Sequence, residues 1–240
     1  MKRLGQRPKG VPTKSLLLNV TFAEQPKFQE LFDEVGIIQR PSFTSHYNNV
    51  IVLWGGEDIN SWIYREKHWQ TGLEHPMSRR DAREFNIVFD AKAKGIPIIA
   101  VCRGAQLMTA IAGGKLIQHV YHHAGQHHEI KTDDGRVMLA NSYHHQMCYL
   151  EGGANGDGRV DHELIAWSHP NRSSIYYGSE GTYSPELPAT RELGWREPEV
   201  FWLPAWKALC IQGHPEYRSD GVAEYEDYCC ELVKKYILCA

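Results

Sequence analysis

Short, uninterrupted apolar runs alternate with amphipathic segments through the first half of the chain. SLLLNV at 15–20, NVIVLWGG at 49–56 and IPIIAV at 96–101 lack the polar alternation of a half-exposed strand, which predicts strands buried on both faces of a parallel sheet. Between them, EQPKFQELFDEV at 24–35 places Phe28, Leu31, Phe32 and Val35 at helical spacing, with Gly36 as the stop. RDAREFNIVFDAKAK at 80–94 does the same, with Phe85, Val88 and Phe89 on one face and Gly95 as its end. CRGAQLMTAIAGG reads as a further helix, ended by the Gly113–Gly114 pair. From Lys115 onward the pattern shifts to shorter β-like pieces (KLIQHV, RVMLANSY, ELIAWS, VFWLPAW, ALCIQG), and a helix near 221–238 closes the chain. The pattern predicts an α/β fold: a mostly parallel central sheet flanked by helices, with an additional small β region.

Length and composition refine this picture only a little. The 240 residues suit one α/β domain over 15–240. A hydrophobic fraction of 42% and a net charge of −3 are those of an ordinary globular protein, and neither calls for a nucleic-acid partner. Residues 1–14 (MKRLGQRPKGVPTK) are basic and read as a flexible tail, because the apolar run behind them is too short for a signal-peptide core. No stretch approaches the roughly 20 apolar residues that span a bilayer. A cytoplasmic protein with no membrane contact is expected. Six cysteines without paired CxxC spacing read as reduced thiols. Cys210, in an apolar run, and Cys229, Cys230 and Cys239, in the closing helix, are expected to be buried.

Cys102 stands apart, because it falls where the strand IPIIAV turns into a helix. That placement raises a side chain above the end of the sheet, at a helix N-terminus whose amides and dipole favour negative charge. A nucleophile elbow has this form, and the amide of the next residue, Arg103, is then aimed at a developing oxyanion. Gly104 leaves room for the tight turn. A thiol nucleophile also needs a base, and His214 follows the strand ALCIQ in the segment GHPEYR, with Glu216 two residues on to orient it. A second strand end, LWGG at 53–56, offers glycine amides at the same edge.

GIPIIAVCRGAQLM and the distant GHPE resemble the class I glutamine amidotransferase superfamily. CRGAQ, the helix RDAREFNIVFDAKAKGIPI, LWGGEDINSWIY and NSYHHQ resemble most its γ-glutamyl hydrolase branch, which includes γ-glutamyl-aminobutyrate hydrolases. The resemblance runs from about residue 15 to 235 and implies a flavodoxin-like sheet. It implies Cys102 as nucleophile, His214 as base and then acid, and Glu216 as its orienting partner. Gly56 and Arg103 would supply the oxyanion amides. Gly55, Gln106, Ser142, His144 and His145 would lie at the substrate, a glutamine or γ-glutamyl compound, and no cofactor is implied. Two departures stand out: Trp54 replaces the proline usual before the glycines, and the 170–198 segment is longer than the usual connection.

Thirteen histidines, with HHAGQHH at 122–128 and His144–His145 among them, raise the question of a metal. The spacing matches no zinc pattern and the mechanism needs none, so the expectation is no metal and a polar loop over the active face. Residues 170–198 read as a long loop whose Tyr176, Tyr177, Tyr183 and Trp195 are either a lid or docking surface or packed back on the domain. Three functions follow: a stand-alone γ-glutamyl hydrolase, a glutaminase supplying ammonia to a separate synthetase, and a catalytically silent relative. The intact Cys102, His214 and Glu216 set argues against the last.

Overall fold

A computed structural model of the protein describes residues 15–19, 30–37, 48–73, 75–151, 160–178, 181–183, 196–217 and 221–239. The tail expected over 1–14 lies outside them. Five strands build the parallel half of the sheet: β1 (Ser15–Asn19), β2 (Glu34–Ile37), β3 (Asn48–Leu53), β4 (Ile98–Val101) and β14 (Ala208–Ile211). Between them in sequence lie β5 (Lys115–Ile117), β6 (His119–Val120), β7 (Ala124–Thr132), β8 (Val137–Tyr143), β9 (Met147–Tyr149), β10 (Glu163–Ser168), β11 (Tyr176–Gly178), β12 (Gly181–Tyr183) and β13 (Pro198–Leu203). Among the described residues the main sheet runs β2-β1-β3-β4-β14-β13-β10-β7-β8. It is parallel as far as β14 and antiparallel beyond. The fold class is thus the expected α/β sheet. Much of the later β region extends the main sheet, and the rest forms two small sheets, β12-β11-β6 and β5-β9.

The period-2 alternation of strands sorts the core into two layers. On one face Ile98 and Ala100 of β4 pack with Ile51, Leu53 and Cys210 under helices α1 (Arg79–Lys94) and α2 (Arg103–Ile111). On the other, Ile99 and Val101 pack with Val50, Val52 and Ile211 against α3 (Ala223–Leu232) and its π-helical continuation Val233–Leu238. Every residue of β4 and β14 is buried, as their unbroken apolar runs predict.

Four expectations are corrected. The helix expected over 24–35 does not extend to its end: Glu34 and Val35 lie in β2, and Gly36, assigned as its stop, is inside that strand; residues 24–29 lie outside the described residues. On α1 the inward face is Asp81, Glu84, Ile87, Val88 and Ala91, while Phe89 is exposed and stacks edge-on with Trp206. The helix turns its acids inward because a buried arginine waits there, as described below. The histidine-rich stretch is not a loop: Ala124–Thr132 is a strand with His128, Ile130 and Thr132 inward. Its alternation is carried by polar residues and so escapes a hydrophobicity reading. Cys239 is exposed, not buried. Within 170–198 the structure places β11 and β12 as a hairpin. Tyr176 packs back on the domain and donates to Glu197 at 2.9 Å, and residues 184–195, with Trp195, lie outside the described residues. Among the described residues no helix is long and apolar enough to cross a membrane.

Candidate functional site

Parallel pairing brings the ends of β3, β4 and β14 to one edge, with Leu53 beside Ala100 and Val101 beside Ile211. The three segments that leave this edge are Trp54–Gly56, Cys102–Arg103 and Gln212–Glu216, so residues distant in sequence converge where an open α/β sheet places its ligands.

Cys102 joins β4 directly to α2 and has φ 50° and ψ −107°. A side chain held there costs about 1–3 kcal/mol, which the surroundings must offset. Three features do so. The Cys102 amide donates to Ile211 O at 2.7 Å, the Cys102 carbonyl accepts from Gln106 N in the first turn of α2 at 3.1 Å, and Gly104 lets the helix start against β3, where a Cβ would collide with the Leu53 carbonyl.

His214 is buried and held from both sides. Asn141 in β8 accepts from the His214 amide at 2.8 Å and donates to its carbonyl at 2.6 Å. Nδ1 of the ring lies 2.7 Å from Glu216 Oε1, and Tyr217 stacks on the ring with centroids 4.7 Å apart. Burial works against the charged ring, but its hydrogen bonds and charge interactions with the Cys102 sulfur and with Glu216 outweigh it and carry the His214 pKa up to about 10. Thiol, imidazole and carboxylate form one hydrogen-bonded chain able to move a proton. Gly55 packs against it: a Cβ on Gly55 would lie 2.7 Å from His214 Cε1 and 3.5 Å from Cys102 Cβ.

The Trp54–Gly56 loop is set by a residue the sequence reading did not single out. Arg80 Nη2 donates to the carbonyls of Trp54 at 2.9 Å and Gly55 at 3.0 Å. In a trans peptide the N–H points opposite to the C=O, so the amide of Gly56 is turned away from Arg80. Trp54 itself is buried in the core. The Arg103 side chain is also fully buried and pairs with Asp81 and Glu84, the inward acids of α1. Asp81 meanwhile closes the capping box with Ser78 that starts α1, and Glu84 accepts from Arg80 Nε at 2.8 Å. One buried network therefore ties the start of α1 to both amides proposed for the oxyanion. Removing one side of such a pair typically costs about 3–5 kcal/mol, against about 1 kcal/mol for a lost cap, so the arginine dominates and Arg103 variants would report stability ahead of chemistry.

The remaining sequence candidates are distributed. Gln106 is buried and its amide donates to Gln146 O at 3.1 Å. Ser142 is fully buried in β8. His144 is buried, its Nδ1 2.9 Å from Gln146 O. His145 is exposed and meets Asp58 at 2.8 Å, two residues beyond Gly56. Asn141 was legible only as the first residue of NSYHHQ, and Arg80 only as a polar residue in a helix whose apolar face drew the attention.

The family described as Peptidase C26 matches residues 45–154. A glutamine amidotransferase-like protein of Lactococcus lactis subsp. cremoris, the YvdE homolog, is 30% identical over 158 residues, 53% of this chain and 82% of that protein. A protein of Mycobacterium tuberculosis provisionally named a glutamine amidotransferase is 37% identical over 73 residues, 30% of this chain. Of that protein and of one further relative the chain spans less than two thirds, 23% and 56% of their lengths. Among solved structures, a glutamine amidotransferase from Thermotoga maritima superposes with a TM-score of 0.55 at 14% identity, covering 95% of this chain and 90% of that one.

Proposed function

The chain belongs to the glutamine amidotransferase-like Peptidase C26 family, and from that premise we propose that it hydrolyses the amide bond of glutamine or of a γ-glutamyl amine or peptide through a thioester on Cys102. The observation that carries this reading is the strained elbow cysteine hydrogen-bonded to His214, which is bonded in turn to Glu216.

With the thiol proton resting on His214, the Cys102 thiolate attacks the γ-carbonyl carbon, and the carbonyl π electrons move to oxygen. The amides of Gly56 and Arg103 receive that oxyanion. As the tetrahedral intermediate collapses, the C–N bond breaks and protonated His214 passes its proton to the departing nitrogen, so ammonia or an amine leaves. Neutral His214 then takes a proton from water as that water attacks the thioester. Collapse of the second intermediate expels the Cys102 thiolate beside protonated His214, so glutamate is released and the starting pair is restored. A ring whose pKa stands near 10 is protonated at neutral pH, which suits the first proton transfer and places positive charge beside the attacking sulfur. Glu216 holds the ring in the orientation that both transfers need.

Arg80 tests the oxyanion assignment. Arg80→Met frees the Trp54 and Gly55 carbonyls and leaves Glu84 with Arg103, so kcat is expected to fall by about 10- to 100-fold with little change in KM. A rise in KM at unchanged kcat would place Arg80 in ground-state binding instead.

The function is tested with the purified chain alone against glutamine and a panel of γ-glutamyl amines and peptides, with steady-state rates for each. Turnover of at least one substituted amide faster than glutamine is expected. Ammonia released from glutamine with no turnover of any substituted amide would replace this reading with that of an ammonia-supplying partner of a synthetase.

A further inference from the structure

Beside the Cys102 site, and not used by the proposed reaction, lies a second group of chemical side chains. His123 precedes β7, His144 follows β8, and Glu199 projects from β13. All three are buried, and one ligand atom from each lies within 4.8 Å of the others.

The hydrogen bonds decide which way each group faces. A carbonyl can only accept, so the 2.9 Å contact to Gln146 O puts the proton of His144 on Nδ1. Nε2 is then a lone pair, buried and without a hydrogen-bond partner. His123 Nε2 sits 3.1 Å from Glu197. Glu197 also accepts from the amides of Arg172 and Ser173 and from the Tyr176 hydroxyl, as a carboxylate does. The His123 proton therefore belongs on Nε2, and Nδ1 is a second lone pair, unbonded and 3.5 Å from Glu199 Oε1. Glu199 Oε1 accepts from His128 Nε2 at 2.8 Å, while Oε2 is buried with no donor.

The three side chains of this cluster thus offer two buried imidazole lone pairs and a buried carboxylate oxygen, and each imidazole has its other nitrogen fixed by an oxygen. Oriented histidine ligands of metal centres are held in this way. Without an ion these atoms carry an unrelieved desolvation penalty. We infer that His123, His144 and Glu199 bind one divalent transition ion of the zinc class. Two imidazoles with one carboxylate suit zinc or cobalt, whereas calcium and magnesium require oxygen shells. Tetrahedral bonds of about 2.0–2.2 Å need donor atoms about 3.4 Å apart, so the three side chains must draw in by about 1 Å. The ion would fasten the end of β8, where Asn141 grips His214, to β13 and to the start of β7.

The test uses tag-free protein, alkylated so that Cys102 and the exposed Cys239 cannot ligate, stripped with a chelator and titrated with Co2+ and Zn2+. We expect one equivalent of Co2+ with a visible spectrum of nitrogen and oxygen ligation and no sulfur charge-transfer band. Zn2+ should raise the unfolding temperature of this protein. H144Q and E199Q should each weaken binding at least about tenfold and abolish the zinc-dependent rise. No binding to the wild-type chain, binding by both variants as tight as that of the wild-type chain, or sulfur ligation would overturn the site. Should either variant fail to fold, X-ray absorption on the zinc-loaded wild-type chain decides alone: two imidazoles and a carboxylate support the site, and any other ligand set overturns it.

Discussion

Cys102→Ala is expected to reduce hydrolysis by at least about 10^4-fold while leaving the chain folded. Loss of a triad nucleophile removes the covalent route entirely, and what remains comes from binding and oxyanion contacts alone. The structure indicates why folding should survive. Cys102 contributes its backbone to the elbow through the Ile211 and Gln106 hydrogen bonds, and these do not depend on the thiol. An alanine Cβ occupies the same direction, and the deleted sulfur's packing is small beside the arginine network beneath it. Turnover is to be compared with the unfolding midpoint of the same preparation. Near-wild-type turnover would remove Cys102 from the mechanism, whereas a lost transition would mean the elbow needs its thiol to fold. An electrophilic glutamine analogue supplies a second reading. Cys148, Cys210 and Cys229 are buried and burial raises their thiol pKa values, which makes them poor nucleophiles. Peptide mapping should therefore find the label on Cys102 ahead of these three.

What the sequence disclosed follows from which interactions are local. The β3, β4 and β14 strands announce themselves because strands buried on both faces must be apolar throughout, and the elbow is legible because a strand, a cysteine and a helix start are adjacent in sequence. Residues that act through distant partners were not legible. The inward face of α1 is set by Arg103, 22 residues from Asp81 and 19 from Glu84, so apolar spacing pointed to Phe85 and Phe89 instead. The β7 strand presents His128 and Thr132 to the interior, where their partners make burial tolerable, and a polarity scale reads such a strand as loop. The same effect concealed the grouping of His123, His144 and Glu199: two strands separate the first pair in the chain and four the second, and only the antiparallel end of the sheet brings them together.

His214 and Glu216 should separate by size of effect. His214→Asn removes the group that both donates and accepts the proton, whereas Glu216→Gln keeps a hydrogen-bond acceptor beside Nδ1 and loses only its charge. By the usual asymmetry within a triad, the first substitution should cost on the order of 100-fold more in kcat than the second. The titration of the ring gives an independent check. Glu216 is one of the groups that carry the His214 pKa up to about 10 against the effect of burial, so Glu216→Gln should lower it. Because the folded pKa lies above the ordinary value near 6.5, this histidine stabilises the fold fully below about pH 6.5 and its contribution fades as pH rises toward 10. The wild-type chain should therefore lose stability through that window, and the variant should lose less of it. Chemical denaturation at intervals from pH 6 to 10, with the ring followed by NMR in both proteins, reads the two quantities together. Parallel stability curves with an unmoved ring would show that Glu216 neither charges nor orients His214, and equal losses of kcat from the two substitutions would assign Glu216 a direct part in the proton transfers.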